Sequence, residues 1–250
     1  MSEGRDHYSY TVYADPATAR TFDERRFGGP IGELIATDQA HVLAEFLGPV
    51  EGRSIVDVGT GTGRAARLLA GAGATVTGID ASDQMLAIAR ERASAEHVDI
   101  RFVRGDAHAL DFSDRSFDIA VSLRVLMHAP RWRVCLDELC RVAKALVVID
   151  YPSAHSTAAL QAVTRRILHA AGVSTEPYRV FFDHEIADVF QQNGFRIRSA
   201  RRQFVLPIAL HKTIGSRGFT QASEAVFNRL GLLKMLGSPV TLVAERCALS

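Results

Sequence analysis

The chain has 250 residues, 47% of them hydrophobic, and a formal net charge of +1. That length and apolar content suit one globular domain with a substantial core. The near-neutral balance, without a long run of one sign, provides no electrostatic footprint for nucleic acid or an anionic membrane. Three cysteines, Cys135, Cys140 and Cys247, lack CxxC spacing. This argues against a disulfide framework or zinc site and for a reducing, cytoplasmic compartment. The opening residues Met1–His7 are polar, without the apolar centre of a signal peptide, and no run is long enough to span a bilayer.

Residues 1 to about 30 mix charges with Tyr8, Tyr10, Tyr13, Phe22 and Phe27. This is too aromatic for a simple tail and is expected to pack over the domain. Leu34, Ile35, Val42, Leu43, Phe46 and Leu47 recur at helical spacing, so a helix is expected over Ile31–Leu47, stopped by Gly48-Pro49. The apolar run Ser54–Val58 reads as a strand buried on both faces. A helix from about Arg64 to Ala70 and a strand over Thr75–Ile79 follow. Ser82 is placed to cap the next helix, with Asp83 in its first turn. Further strands are expected at Ile100–Val103, Asp118–Ser122 and Ala145–Ile149. The Trp132, Cys135, Leu136, Leu139 and Val142 stripe marks a helix before the last of these.

Beyond Asp150 the rhythm changes. A helix is expected over about Thr157–Ala171, a pocket-facing aromatic stretch over Tyr178–Phe182, and a helix capped by Asp183 and closed by Asn193-Gly194. Strands are expected from Phe195 to about Val205 and over Val240–Ala244. The residues between them are too many for a hairpin turn. They carry the stripe Phe219, Ala222, Val226, Phe227, Leu230 and Leu233, which reads as a helical insertion serving as a lid or dimer surface. Arg196, Arg198, Arg201 and Arg202 read as a solvated strand face.

The alternation predicts an α/β fold: a doubly wound, Rossmann-like, seven-stranded and mostly parallel sheet with helices on both faces. One domain over 1–250 is expected. Its parts are an N-terminal helical cap over 1–48, a cofactor-binding core over 50–150, and an acceptor-side half over 151–250 with the insertion at about 206–238.

The chemistry centres on Gly59, Gly61 and Gly63, which follow the first strand and precede a helix. Glycine permits unusual φ values and lets a ligand approach the backbone. The spacing is GxGxG; Arg64 stands where a dinucleotide fingerprint wants a small residue. Asp80 ends the second strand, the place for a carboxylate that accepts both ribose hydroxyls. Asp57, Asp80, Asp106 and Asp150 all fall near carboxyl ends of strands, which meet in one crevice in such a sheet. That density of carboxylate suits a ligand bearing a sulfonium and an ammonium better than a pyrophosphate. An NAD-dependent oxidoreductase is the competing reading, and a non-catalytic partner subunit of the same fold is a third.

Val56-Asp57-Val58-Gly59-Thr60-Gly61-Thr62-Gly63 resembles motif I of the class I S-adenosylmethionine-dependent methyltransferases. Gly78–Leu86 resembles the family's second motif, and Gly105-Asp106-Ala107 with Phe112–Asp118 resembles the next two. Within the family the pattern is most similar to the ubiquinone and menaquinone biosynthesis methyltransferases. The resemblance implies S-adenosyl-L-methionine as cofactor, with S-adenosyl-L-homocysteine as product. It implies that Gly59, Thr60, Gly61 and Gly63 pass under the methionine and ribose, and that Asp80 holds the ribose diol. Ala81 and Met85 would flank the adenine, Asp106 and Ala107 would meet its polar edge, Leu123 would lie near the methionine portion, and Asp57 would act on the ammonium.

His128, just past the fourth strand, is the candidate base, with a loop-capping role as its alternative; histidine titrates near neutrality. Tyr13, Tyr151 and Tyr178 are candidate acceptor-binding residues. The stretch Ser122-Leu123-Arg124-Val125 lacks the Asn/Asp-Pro-Pro-aromatic motif of amino-methylating nucleic-acid enzymes, no Pro-Cys pair offers a nucleophile, and no acid cluster suggests a metal. A metal-independent transfer to a small phenolic, quinol-like or lipid-like acceptor is therefore expected, by a monomer or homodimer without stable membrane insertion.

Overall fold

The computed structural model describes residues 23–24, 26–159, 162, 164 and 178–248. Seven strands form one sheet: β1 Ser54–Val58, β2 Thr75–Asp80, β3 Ile100–Arg104, β4 Phe117–Ser122, β5 Ala143–Tyr151, β6 Phe195–Arg202 and β7 Val240–Arg246. Their order is β3-β2-β1-β4-β5-β7-β6. Pairing is parallel from β3 to β5, while β7 runs antiparallel to both β5 and β6. The expected doubly wound, mostly parallel sheet is what the chain forms.

Helices α1 Gly29–Leu47, α2 Arg64–Gly71, α3 Asp83–Ala95, α4 Trp132–Val142 and α5 Asp183–Gln192 flank the sheet. Strand side chains alternate between its faces. Ile55, Ile119, Val121, Val148 and Val243 pack with Val42, Leu43 and Phe46 of α1 and Ala66 and Leu69 of α2. Val56, Ala120, Val147, Leu242 and Ala244 pack with Leu136 and Leu139 of α4 and Ile186 and Phe190 of α5. Because both faces are covered, the central strands are apolar throughout rather than alternating.

Local chemistry explains the element ends. Pro30 lies in the first turn of α1, and Gly48 closes it at φ 63°. Ser82 caps α3, its hydroxyl accepting from the Met85 N–H at 3.2 Å. Asp183 does not cap α5 as expected. Phe182 occupies the cap position, and its N–H donates to the Glu185 carboxylate at 3.0 Å. Asp183, one residue inside, is engaged instead by the Tyr151 hydroxyl and the Arg202 guanidinium.

β6 stops at Arg202 rather than Val205, where its pairing with Val240 ends; Phe204 then adopts φ 42°. β5 is longer than expected because Ala143 pairs with Phe117 and Tyr151 with Val240. The β6 arginines are not merely solvated: Arg196 bonds Glu245, Arg198 the Phe46 carbonyl, Arg201 bonds Glu45 and Asp38, and Arg202 bonds Asp183. Charge on an edge strand also discourages further pairing there.

The insertion between β6 and β7 holds three helices, α6 Ile208–Ile214, α7 Arg217–Arg229 and α8 Leu232–Leu236. Its interior contact is polar: buried His211 places Nδ1 3.0 Å from the Thr220 hydroxyl. Part of the expected apolar stripe faces outward, with Leu230 66% exposed; Met235 of α8 is 67% exposed. The helix expected over Thr157–Ala171 is described only at residues 157–159, 162 and 164; its remainder, Tyr13 and the aromatic segment before residue 23 lie outside the described residues. No helix among the described residues is long and apolar enough to cross a membrane.

Candidate functional site

The turn after β1 is built by hydrogen bonds to β2. The Gly59 and Thr60 N–H groups both donate to the Ile79 carbonyl at 2.8 Å, and the Gly63 N–H donates to the Thr60 carbonyl at 2.9 Å. Gly59, Gly61 and Gly63 have φ of 73°, 55° and 78°. They serve different ends. A Cβ at Gly59 would stand 2.2 Å from Val125 Cγ2, so the glycine admits the segment after β4. A Cβ at Gly61 would meet nothing within 4 Å, so the bare backbone there faces open cleft.

Asp80 closes the other side. Its Oδ2 accepts from the Gly61 N–H at 2.8 Å and its Oδ1 from the Ser82 N–H at 2.9 Å. Burial raises its pKa, and these backbone donors oppose the shift. A carboxylate has about four acceptor positions, so each oxygen retains capacity toward the cleft.

That cleft, half open to solvent, spans about 900 Å³ with the open solvent counted in. Of the residues singled out from the sequence, Gly59, Gly61, Asp80, Ala81, Met85, Ala107, Leu123 and His128 line it. Thr60 and Gly63 support the turn from behind. Asp57 is also behind it, 2% exposed, with Oδ2 accepting from the Thr60 hydroxyl at 2.7 Å. Burial first, and Asp80 in addition, push its carboxyl up to about 6 against the Thr60 bond and the Arg64 charge. Asp106 is not among the residues that line the cleft; its side chain is 48% exposed, with Oδ1 accepting from the His108 N–H at 2.9 Å and lying 2.7 Å from His108 Nδ1.

A second cavity, about 1520 Å³, adjoins the first. Tyr151 and Tyr178 line it as expected. Their hydroxyls are turned to protein partners: Tyr151 donates to Asp183 at 3.0 Å and Tyr178 to the Ala158 carbonyl at 3.1 Å. Burial and the neighbouring Asp183 hold the Tyr151 phenol above its ordinary range. Arg26, Arg124 and His128 line both cavities and form the wall between them. His128 sits in a single 3-10 turn, Leu126–His128, its N–H donating to the Val125 carbonyl at 2.9 Å.

The electrostatics differ from a plain acidic crevice. Asp150 is 3% exposed and accepts from the Arg124 N–H. Arg64 opens α2 with its guanidinium 4.0 Å from the Phe27 ring centroid. Burial lowers its pKa to about 10, against the pull of Asp57 and Asp150. Asp57 and Asp150 are therefore offset by arginines, Asp57 by Arg64 and Asp150 chiefly by Arg124. Arg26, His108 and Arg124 escaped the sequence reading. Only His108 had a local signal, standing two residues after a strand-end acid.

These features define a Rossmann-like nucleoside site: a glycine turn, a strand-end carboxylate with acceptor capacity, and an apolar slot at Ile79, Met85 and Leu123. They fit an adenosyl group. Comparison with known proteins gives the class. Residues 56–148 match the family model described as "Methyltransferase domain". Demethylmenaquinone methyltransferase of Tropheryma whipplei is 30% identical over 188 residues, covering 68% of this chain and 77% of that protein. 2-Methyl-6-phytyl-1,4-hydroquinone methyltransferase of Synechocystis is 35% identical over 153 residues, 58% of this chain and 45% of that protein. The fold is similar to magnesium protoporphyrin IX methyltransferase from Synechocystis with bound SAH: TM-score 0.66, 20% identity, covering 95% of this chain and 99% of that one. The chain belongs to the class I S-adenosylmethionine-dependent methyltransferases. It is an enzyme that uses S-adenosyl-L-methionine; the comparisons lend no support to an oxidoreductase or a non-catalytic subunit.

Proposed function

We propose that this enzyme transfers a methyl group to a small molecule with an apolar body, phenolic, quinol-like or lipid-like, without a metal. One observation carries the reading: two cavities, one suited to an adenosyl group and one to an acceptor, share the wall of Arg26, Arg124 and His128. The named relatives act on a menaquinone precursor and a phytyl hydroquinone, which supports an apolar acceptor. The bound cofactor supplies a methyl already activated by a sulfonium. The protein then has to align the acceptor and exclude water.

Each side chain has a proposed part. Asp80 accepts from the ribose hydroxyls, Gly59 and Gly61 admit the ribose and methionine to the backbone, and Thr60 and Gly63 hold the turn. Ala81, Met85, Ala107 and Leu123 flank the adenine and methionine. Asp106 borders the adenine edge, and Asp57, behind the turn, attracts the ammonium. His128 takes a proton where the acceptor must lose one. Tyr151 and Tyr178 shape the acceptor wall. We place the protein in the cytoplasm, as one methyltransferase domain acting as a monomer or homodimer; three cysteines without CxxC spacing support a reducing compartment.

The test is incubation with methyl-labelled cofactor and a panel of phenols, quinols and lipid alcohols, beside calorimetry with S-adenosylhomocysteine and NADH. Label transfer to one of the panel, and adenosylhomocysteine binding without NADH binding, is the expected result. Adenosylhomocysteine binding with transfer only to a macromolecule would overturn the acceptor assignment.

A further inference from the structure

The layer between α1 and the sheet changes character where the acceptor-side cavity begins. Along β5 and β7, Val148 pairs with Val243, and the next pair on the same face is Asp150 with Thr241. Val148 and Val243 pack with Val42, Leu43 and Phe46 of α1. One turn before Leu43 on that helix stands Gln39, only 7% exposed. Gln39, Asp150 and Thr241 are all buried, and all three line the acceptor-side cavity. An apolar layer thus ends, at the cavity, in polar side chains from three elements.

Asp150 is already engaged, since it accepts the Arg124 backbone N–H. Gln39 is not: its Oε1 is buried with no hydrogen-bond partner among the described residues. The other buried side chains of α1 are Ile31, Val42, Leu43, Phe46 and Leu47, so an apolar residue would suit that face. An amide oxygen buried without a partner is destabilising, and such an exception at a cavity wall points to a group that enters the cavity. Gln39 and Thr241 line the acceptor-side cavity and not the cofactor cleft. A group held there is therefore distinct from the one that meets the methyl at the shared wall.

We propose that Gln39 is a specificity-determining residue for the acceptor: its side-chain carbonyl accepts a hydrogen bond from an alcohol or phenol hydroxyl remote from the atom that is methylated, with the Thr241 hydroxyl as the second partner. An amide and a hydroxyl each offer both donor and acceptor, and an organic hydroxyl matches them on both counts. An ammonium only donates and a carboxylate only accepts. The assignment rests on the methyl-transfer reading above and narrows its acceptor to one with a second, unreacting hydroxyl.

The test uses the full chain saturated with S-adenosylhomocysteine and titrated by calorimetry with naphthalene-1,5-diol, 5-fluoro-1-naphthol and 5-(aminomethyl)-1-naphthol. All three keep one hydroxyl for the reacting end and differ in the second group. The diol is expected to bind at least ~5-fold more tightly than the fluoro compound, as a hydrogen bond to a buried amide requires, and more tightly than the ammonium. Gln39→Met keeps a long side chain there and cannot accept the bond. It should abolish the difference between diol and fluoro compound and leave adenosylhomocysteine affinity unchanged. Its melting temperature without ligand should equal or exceed the wild type's, because no amide is then desolvated. Equal binding of diol and fluoro compound by the wild type, binding of neither, or a preference for the ammonium overturns the proposal. So does a diol preference that survives in Gln39→Met, the result expected if a bridging water alone meets the amide. A lower melting temperature or poor folding of Gln39→Met would show that the amide serves the fold, and overturns it too. Failure to bind adenosylhomocysteine would instead remove the methyl-transfer reading, and this assignment with it.

Discussion

Two carboxylates on neighbouring strands, Asp57 of β1 and Asp80 of β2, illustrate how burial divides labour. Asp80 receives two backbone N–H groups and keeps capacity toward the cleft. Asp80→Ala is expected to weaken adenosylhomocysteine binding ~10–100-fold by calorimetry, since charge-assisted bonds are lost. Asp80→Asn should fall between, because its carbonyl oxygen still accepts one N–H. Asp57 has a different burden. Its pKa, raised by burial to about 6, lies above the unfolded value near ~3.9. The folded state then holds a proton that the unfolded chain would release. Stability therefore falls as pH rises from ~4 to ~6, by roughly 3 kcal/mol in all. Asp57→Asn keeps an acceptor for the Thr60 hydroxyl and removes the charge. Its melting temperature should exceed the wild type's by ~5 °C or more at pH 8 and converge with it near pH 4. If the proposed contact with the ammonium exists, the same variant binds S-adenosylmethionine less well. Asp80 was legible in the sequence because a strand end after a glycine turn has a fixed meaning. Arg124 was not: its importance comes from segments that the fold returns to it, and a lone arginine carries no pattern.

The elements divide between those held by pattern and those held by contact. The β1 turn depends on Gly59 because Val125, after β4, occupies the space of a Cβ. Gly59→Ala should lose cofactor binding and several degrees of melting temperature. Gly59→Ala combined with Val125→Ala should recover part of that loss, leaving the ~1 kcal/mol cost of a positive φ. The β1–β4 pairing has its own clamp. Asp118 Oδ2 accepts from the Ser54 N–H and hydroxyl, each at 2.8 Å, while Lys144 Nζ lies 3.1 Å from Oδ1. The Ser54 bonds, chiefly, hold the Asp118 carboxyl down to about 2. A depressed carboxylate contributes stability that is fully present above the unfolded pKa near ~3.9 and is lost as pH falls through the folded value. Urea midpoints should therefore drop between pH ~4 and ~2 in the wild type and drop less in Asp118→Asn. Strands and flanking helices were readable because both-face burial leaves continuous apolar runs. The ends of β5 and β6 were not, since Tyr151 and Arg202 both end their strands opposite Val240, the first residue of β7.

At the scale of the whole molecule, the proposed donor and acceptor sides come from different parts of the chain. The strand ends of β1 and β2 and the β4 exit form the cofactor cleft. Lys212 and Leu206, which enter from the insertion, help to close the acceptor cavity. Replacing residues 203–239 by a two-residue Asn-Gly turn should join Arg202 to Val240, which face each other across β6 and β7. Adenosylhomocysteine affinity is expected to stay within ~3-fold in that variant, while label transfer to the phenol, quinol and lipid-alcohol panel is lost; calorimetry and the transfer assay measure the two. Length and the gap between strands made the insertion legible. Its polar heart at His211 and Thr220 and its outward Leu230 were not, because a stripe at helical spacing does not say which side meets the protein.

The same cross-strand pair has a consequence for how such an enzyme acquires new substrates. Arg202 and Val240 fix both ends of the insertion at neighbouring points on one ladder, whatever lies between them. The entropy of closing such a segment grows slowly, by about 0.6 kcal/mol for each doubling of its length. The stretch is thus free to lengthen, shorten or change composition with little effect on the sheet that carries the methyl donor. It behaves as a replaceable cassette: under the proposed reading, part of the acceptor wall is kept in a cheaply rewritten piece of chain.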